Sequence, residues 1–242
     1  MKFVCTVCGH EEDTDTRKPK CDCGGLWELS YTPPKFSLAE VDRDTWSIFR
    51  YRKFMAMADD TWRDITLGEG MTPIIPFRDG VWLKMDYFMP TLSFKDRGAA
   101  VLIAHAKSIG VKRVIQDSSG NAGNSVAAYC GRAGIACDIF VPEGTSDKKI
   151  RMIEAHGATA HIIPGNRDHC ADVCRTTARE EHLYYANHVY NPFFYEGTKT
   201  YIYETYEQLH RIPEHIFIPV GNGTLFLGIV KGLEHLLESG II

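Results

Sequence analysis

The chain has 242 residues, 44% hydrophobic and 24% charged, with 27 Lys+Arg against 31 Asp+Glu and a formal net charge of −4. This composition excludes a disordered chain and a disulfide-stapled miniprotein, and it supports one large domain or two modest ones. Without a basic stripe or a membrane-length apolar run, nucleic acid and membrane are poor partners, and a start without a signal-peptide apolar region points to the cytoplasm.

Four of the eight cysteines lie near the N-terminus, as Cys5-x2-Cys8-Gly9 and Cys21-x-Cys23-Gly24-Gly25 with twelve residues between the pairs. Paired thiolates followed by glycine suit a tetrahedral structural zinc, although the second pair is C-x-C rather than C-x2-C. A metal also supplies stability that a segment of ~25 residues cannot draw from its own core. Four thiolates leave no open coordination position, so this site is structural. Cys170 and Cys174, spaced i, i+4 on a predicted helix, read as small buried hydrophobes, as do Cys130 and Cys137. The remaining histidines and Trp46, Trp62 and Trp82 show no special spacing and read as packing or surface residues.

A linker containing Pro33-Pro34 and an aromatic, charged stretch from Trp46 to Trp62 follow, and Leu67–Pro73 forms a turn-rich entry to the main body. Strands are predicted at Val81–Met85, Arg113–Gln116, Ala136–Val141, Thr159–Ile163 and His215–Val220. Helices are predicted at Asp96–Ser108, Asn124–Ala133, Asp147–His156, Asp168–Glu181, Lys199–Leu209 and Leu225–Glu238. This alternation predicts βαβ units and an α/β, doubly wound, mostly parallel sheet, with ligands bound in the loops at the carboxyl ends of strands.

Three such loops carry chemistry. Pro90–Gly98 places Lys95 at a helix start, with Thr91 or Ser93 as N-cap. In a dry site the positive end of the helix lowers the lysine pKa, and a neutral amine forms Schiff bases. Gln116–Asn124 follows a strand and opens a helix, so Ser118, Ser119, Gly120 and Ala122 leave backbone N–H groups free for a carboxylate or phosphate, and Asn121 adds a directional hydrogen bond. A plain capped βα turn fits the same residues equally well. Pro219–Leu225 is again strand, Gly-rich turn and helix, suited to a phosphate. It matches neither common nucleotide fingerprint, because Phe226 stands where G-x-G-x-x-G needs glycine and Ile229-Val230 where a Walker loop needs Lys and Ser/Thr.

Taken together, these loops resemble the fold-type-II pyridoxal-phosphate enzymes. Ser93-Phe94-Lys95-Asp96-Arg97-Gly98 looks like the lysine motif of threonine synthases, Ser118-Ser119-Gly120-Asn121 like their asparagine loop, and Asn191-Pro192 with Glu196-Gly197 and Lys199-Thr200 like their N-P-x-x-x-E-G-x-K-T segment. The N-terminal Cys-rich ribbon also occurs in some threonine-synthase-like proteins. The resemblance runs over nearly the whole chain and implies two parts, a zinc-ribbon-like segment at 1–30 and a catalytic region of two intertwined α/β subdomains at 31–242, incomplete at its C-terminus.

It further implies that Lys95 holds pyridoxal 5'-phosphate as a Schiff base and, once freed, removes the Cα proton. Asn121 bonds the phenolic oxygen, Gly221, Asn222, Gly223, Thr224 and Leu225 bind the cofactor phosphate, and Ser118 to Ala122 receive the substrate carboxylate. The implied reaction converts O-phospho-L-homoserine and water to L-threonine and phosphate. Homodimers are common in this family, while the sequence itself does not specify an oligomeric state.

Two features depart from the pattern. Phe194, between Phe193 and Tyr195, occupies the position of an arginine that grips the substrate phosphate, and His188, Asn222 and Lys148 are the candidates to replace it. The chain also stops at Ile241-Ile242, before the strands and the Ser or Thr that family members bring to the pyridine nitrogen, as expected of a shortened form. The alternatives are a β-elimination or β-replacement enzyme on another amino acid, favoured by Phe193–Tyr195, and a non-catalytic fragment.

Overall fold

The computed structural model describes residues 1–242. Its N-terminal part is a three-stranded antiparallel sheet ordered β2-β1-β3, from β1 (Lys2–Cys5), β2 (Glu11–Asp13) and β3 (Trp27–Leu29). The segment predicted as a linker packs firmly. Phe36 is buried against the rings of Phe54 and Tyr203, and its N–H donates to Ser239 Oγ at 2.8 Å. Most of the Trp46–Trp62 stretch winds into short 3-10 turns that bury Phe49 and Trp62 as a stacked pair.

The predicted strand Val81–Met85 is present as β5 (Val81–Lys84), but it pairs antiparallel with β4 (Ile74–Arg78) in a ribbon outside the parallel sheet. Then α1 (Lys95–Ser108), β6 (Arg113–Gln116), α2 (Asn121–Ala133), β7 (Ala136–Pro142), α3 (Asp147–Ala155), β8 (Thr159–Ile163), α4 (Arg167–Glu180) and β9 (Tyr184–Tyr185) build a four-stranded parallel sheet ordered β8-β7-β6-β9. Alternate residues of β7 divide between two cores. Cys137, Ile139 and Val141 face the main core, and Phe140 joins Ile115, Cys170, Cys174, Ala178 and Tyr185 in a smaller one beneath α4. Cys170 and Cys174 are thus buried on one helix face, as expected.

The sheet order reverses between β6 and β9. From β6 the chain winds outward through β7 and β8, then returns to place β9 on the other side of β6. Such a switch point opens a crevice at the strands' carboxyl ends.

The last helices are α5 (Pro192–Thr198), α6 (Thr200–Leu209) and α7 (Thr224–Glu238). The predicted helix Lys199–Leu209 is α6, and α5 before it was not predicted. Asn191 caps α5 by accepting from Phe193 N at 3.0 Å, with Pro192 at its first position. α5 crosses α1 so closely that a Cβ on Gly197 would overlap the Arg97 carbonyl oxygen. The predicted strand His215–Val220 is not one. Ile216 and Ile218 alternate onto the main core while Phe217 is 94% exposed, but no neighbouring strand completes a ladder, and alternation alone does not make a strand. No helix is long and apolar enough to cross a membrane.

Candidate active site

Lys95 occupies the first position of α1 and is buried. Its Nζ donates to Thr224 Oγ1 at 2.8 Å and to Asn222 Oδ1 at 3.4 Å, and it lies 4.6 Å from the Phe94 ring centroid and 5.5 Å from that of Phe194. Burial without a carboxylate partner lowers its pKa to about 8, in the direction expected. Of the two predicted caps, Ser93 Oγ accepts from Lys95 N at 3.2 Å, whereas the Thr91 hydroxyl bonds Asp96. Asp96 also takes Thr91 N at 2.7 Å and the Ser125 hydroxyl, tying the turn that carries Lys95 to α2. Its neighbour Arg97, fully buried, holds Asp86 through two bonds of 2.9 Å and Glu204 through one of 2.8 Å. The lysine is therefore anchored from both sides.

The 221–225 loop meets Lys95 from the other direction. Gly223, at φ +82, is the residue before α7 and brings no side chain to the first-turn amides of that helix. Asn222 Oδ1 accepts from the Thr224 backbone N–H at 3.2 Å and from the Thr224 hydroxyl at 3.0 Å, which fixes its amide so that Nδ2 points to His188 Nε2. His188 is 5% exposed, and burial together with the charges of Lys95 and Arg167 lowers its pKa to about 3. The imidazole is thus neutral. Since Nε2 accepts, Nδ1 carries the proton, and that buried N–H has no partner.

At the other loop, Gln116 Nε2 donates to Ala186 O at 2.9 Å, and Asp117 accepts from Tyr185 OH at 2.6 Å and Asn187 Nδ2 at 3.2 Å. These bonds tie the ends of β6 and β9 together across the switch point. Gly120 precedes α2 without a capping side chain, Ser118 and Ala122 are buried, and Ser119 and Gly120 half-buried. Asn121 is exposed, and no hydrogen bond joins it to Lys95. Sequence reasoning missed Asn124, whose Oδ1 is buried without a partner in the first turn of α2. A second asparagine three residues into the helix was the available signal.

Phe194 lies fully buried, its ring against Gly98 and 5.6 Å from the His188 ring. His188 and Asn222 stand with Lys95. Lys148, the third candidate to replace the arginine, is exposed on α3 and bonds none of them.

In the N-terminal sheet the four sulfur atoms of Cys5, Cys8, Cys21 and Cys23 lie within 4.8 Å of one another, Cys5 to Cys23 at 3.4 Å and Cys8 to Cys21 at 3.7 Å. Val7 N–H also points at Cys5 Sγ, 3.5 Å away, which favours a thiolate.

Residues 65–241 match the sequence profile of the pyridoxal-phosphate dependent enzymes. The chain belongs to this family. Threonine synthase of Methanocaldococcus jannaschii is 32% identical over 98% of this chain and 62% of its own length, and that of Halalkalibacterium halodurans is 36% identical over 78% and 55%. The chain thus spans less than two thirds of these relatives. Among solved structures, the processed form of threonine deaminase isoform 2 from Solanum lycopersicum aligns with a TM-score of 0.66 at 22% identity over 86% of this chain and 56% of its own. Maize serine racemase aligns with 0.66 at 21% over 76% and 59%. Both share the fold. The family implies pyridoxal phosphate, and the site's residues fit it. They offer a buried amine with no carboxylate partner, a helix N-terminus beside it that opens on glycine at Gly223, and the unpartnered polar atoms of His188 and Asn124.

Proposed function

We propose that this chain carries the catalytic lysine and cofactor loop of a pyridoxal-phosphate lyase, and that its reaction is conversion of O-phospho-L-homoserine and water to L-threonine and phosphate. The observation that carries this reading is Lys95, a buried amine with pKa about 8 held by the Asn222–Thr224 turn at the start of α7. The threonine synthase relatives support the specific reaction. When bound, the cofactor supplies an electron sink for the carbanion at Cα.

The chain's own groups do the rest. Lys95 fastens the cofactor and afterwards takes the Cα proton on Nζ. Gly221 to Leu225 take the cofactor phosphate at the N-terminus of α7. Ser118, Ser119, Gly120 and Ala122 receive the amino-acid carboxylate at the N-terminus of α2, and Asn121 is the residue that bonds the cofactor's phenolic oxygen. Cys5, Cys8, Cys21 and Cys23 hold one structural zinc, which a reducing cytoplasm permits by keeping their thiols free.

The deciding experiment adds pyridoxal phosphate to the purified chain, reduces with borohydride and maps the labelled peptide, then assays phosphate release from O-phospho-L-homoserine. Label on Lys95 and phosphate release are the expected results, and label elsewhere or none sinks the reading. Phe194 in place of the arginine favours a second reading, β-elimination or β-replacement on another amino acid. Under it, pyruvate or 2-oxobutyrate is released from serine or threonine instead. For the metal, one zinc per chain is expected by elemental analysis, falling to none in Cys5→Ser/Cys23→Ser.

A further inference from the structure

Helix α5 stands between the two helices that meet at Lys95. Toward α1, a Cβ on Gly197 would lie 1.9 Å from Arg97 O, and the Phe194 ring packs on Gly98. Toward α7, a Cβ on Gly228 would lie 2.1 Å from Thr198 Oγ1. A glycine inside a helix costs stability, and here it admits the Thr198 side chain to the α7 backbone. Thr198 is fully buried, and its hydroxyl donates to Thr224 O at 3.2 Å. The carbonyls of its own helix, Phe194 O and Tyr195 O, are farther off at 3.4 Å. A helical threonine ordinarily spends this bond within its own helix, as Thr205 does on Tyr201 O at 2.7 Å. The residue that Thr198 holds is the one whose hydroxyl, 2.8 Å from Lys95 Nζ, accepts from the amine.

We infer that Thr198 is a positioning residue: by holding the first turn of α7 through the Thr224 carbonyl, it sets how far the Asn222–Thr224 turn stands from Lys95. It does not bond the amine itself and acts through Thr224. The contact closes a circuit, from Lys95 along α1 to Gly197, one residue on to Thr198, across to Thr224 and back to Nζ. Each link is a covalent step, a close approach over a glycine or a hydrogen bond, so a shift of α7 is felt at the amine. The effect on the amine follows from these contacts, whereas the effect on the cofactor phosphate rests on the reading proposed above.

Three substitutions separate this role from a general structural one. Thr198→Val removes the donor, Thr198→Ser keeps it, and Thr205→Val makes the same deletion on α6, at a hydroxyl that bonds its own helix. In the full chain without cofactor, amine labelling of Lys95 across pH is expected to shift its midpoint about half a unit lower in Thr198→Val, because the ammonium loses part of its bond to Thr224. Titrations followed by visible absorption are expected to show pyridoxal phosphate weakened about tenfold in Thr198→Val. Pyridoxal, which lacks the phosphate, is expected to stay within about threefold. Thr198→Ser is expected to restore both readings, and Thr205→Val to match the unsubstituted chain in both. An unmoved midpoint in Thr198→Val, equal weakening of the two ligands, or the same shifts in Thr205→Val overturns the positioning role, since a general loosening of the fold moves all of them together. No response of the unsubstituted chain to pyridoxal phosphate sinks the cofactor reading, and the labelling midpoint still decides whether Thr198 acts on Lys95.

Discussion

A lysine buried at a helix N-terminus is costly to charge, and Lys95 has no carboxylate to offset that cost. Its neighbours are a hydroxyl, an amide oxygen and two aromatic faces, which stabilise an ammonium less than water does. In the cofactor-free chain, amine-reactive labelling of Lys95 is therefore expected to rise through an apparent pKa of about 8, below the value of about 10.4 of a lysine in water. Mass-spectrometric peptide quantitation across pH 6–11 reads this, and a midpoint above about 10 for Lys95 would contradict the burial argument. Thr224→Val removes the 2.8 Å acceptor from Nζ and shifts that midpoint lower still, because the charged amine loses its better partner.

At the scale of elements, the turn bearing Lys95 is immobilised by the Arg97 network joining α1, α6 and the β4–β5 ribbon. Glu204 is fully buried. Burial alone would raise its pKa, but Arg97 and Lys84 outweigh that and hold it down at about 2. Arg97→Met leaves the Glu204 and Asp86 carboxylates without their main counter-charge and is expected to cost about 3–5 kcal/mol in denaturant unfolding. Adding Glu204→Gln recovers part of that loss, because it neutralises the fully buried one of the two carboxylates. Additive losses in the double variant would show that the two residues act independently. A Cβ at Gly197 meets the Arg97 carbonyl, so Gly197→Ala is expected to destabilise by about 1–3 kcal/mol and to displace Phe194, seen as weaker cofactor binding.

Across the whole molecule, the N-terminal sheet docks on the α/β part through His105. Its ring stacks on Phe193 at 3.7 Å, one residue from Phe194, its Nε2 donates to Thr14 O at 2.9 Å, and Phe3 meets it edge-on. Burial lowers the His105 pKa to about 4. The unfolded chain takes up this proton below about 6.5 and the folded chain only near 4, so the unfolded state binds more protons in between and stability falls as pH drops through that window. His105→Phe is expected to flatten the decline between pH 6.5 and 4 in denaturant midpoints. An unchanged slope would mean that the histidine is protonated in place.

The local patterns in this sequence carried their own meaning. The paired cysteines, Lys95 at a helix start and the two Gly-containing turns that open α2 and α7 were legible because each depends on residues a few positions apart, and periodicity placed α1 to α4, α6, α7 and the parallel strands β6 to β8, whereas the two residues of β9 are too few to show a period. Periodicity reports which face a segment buries, not what lies against it. So β5 was legible as a strand but not as half of an antiparallel ribbon, and His215–Val220 kept its alternation while lacking a neighbour to bond. The short α5 was hidden because its seven residues are too few to show a helical period. What only the tertiary structure decided is the company around Lys95. Asn222 and His188 are remote from it in the chain, and they meet it because β9 returns beside β6 and α7 packs on α5, contacts set by burial over long sequence separations.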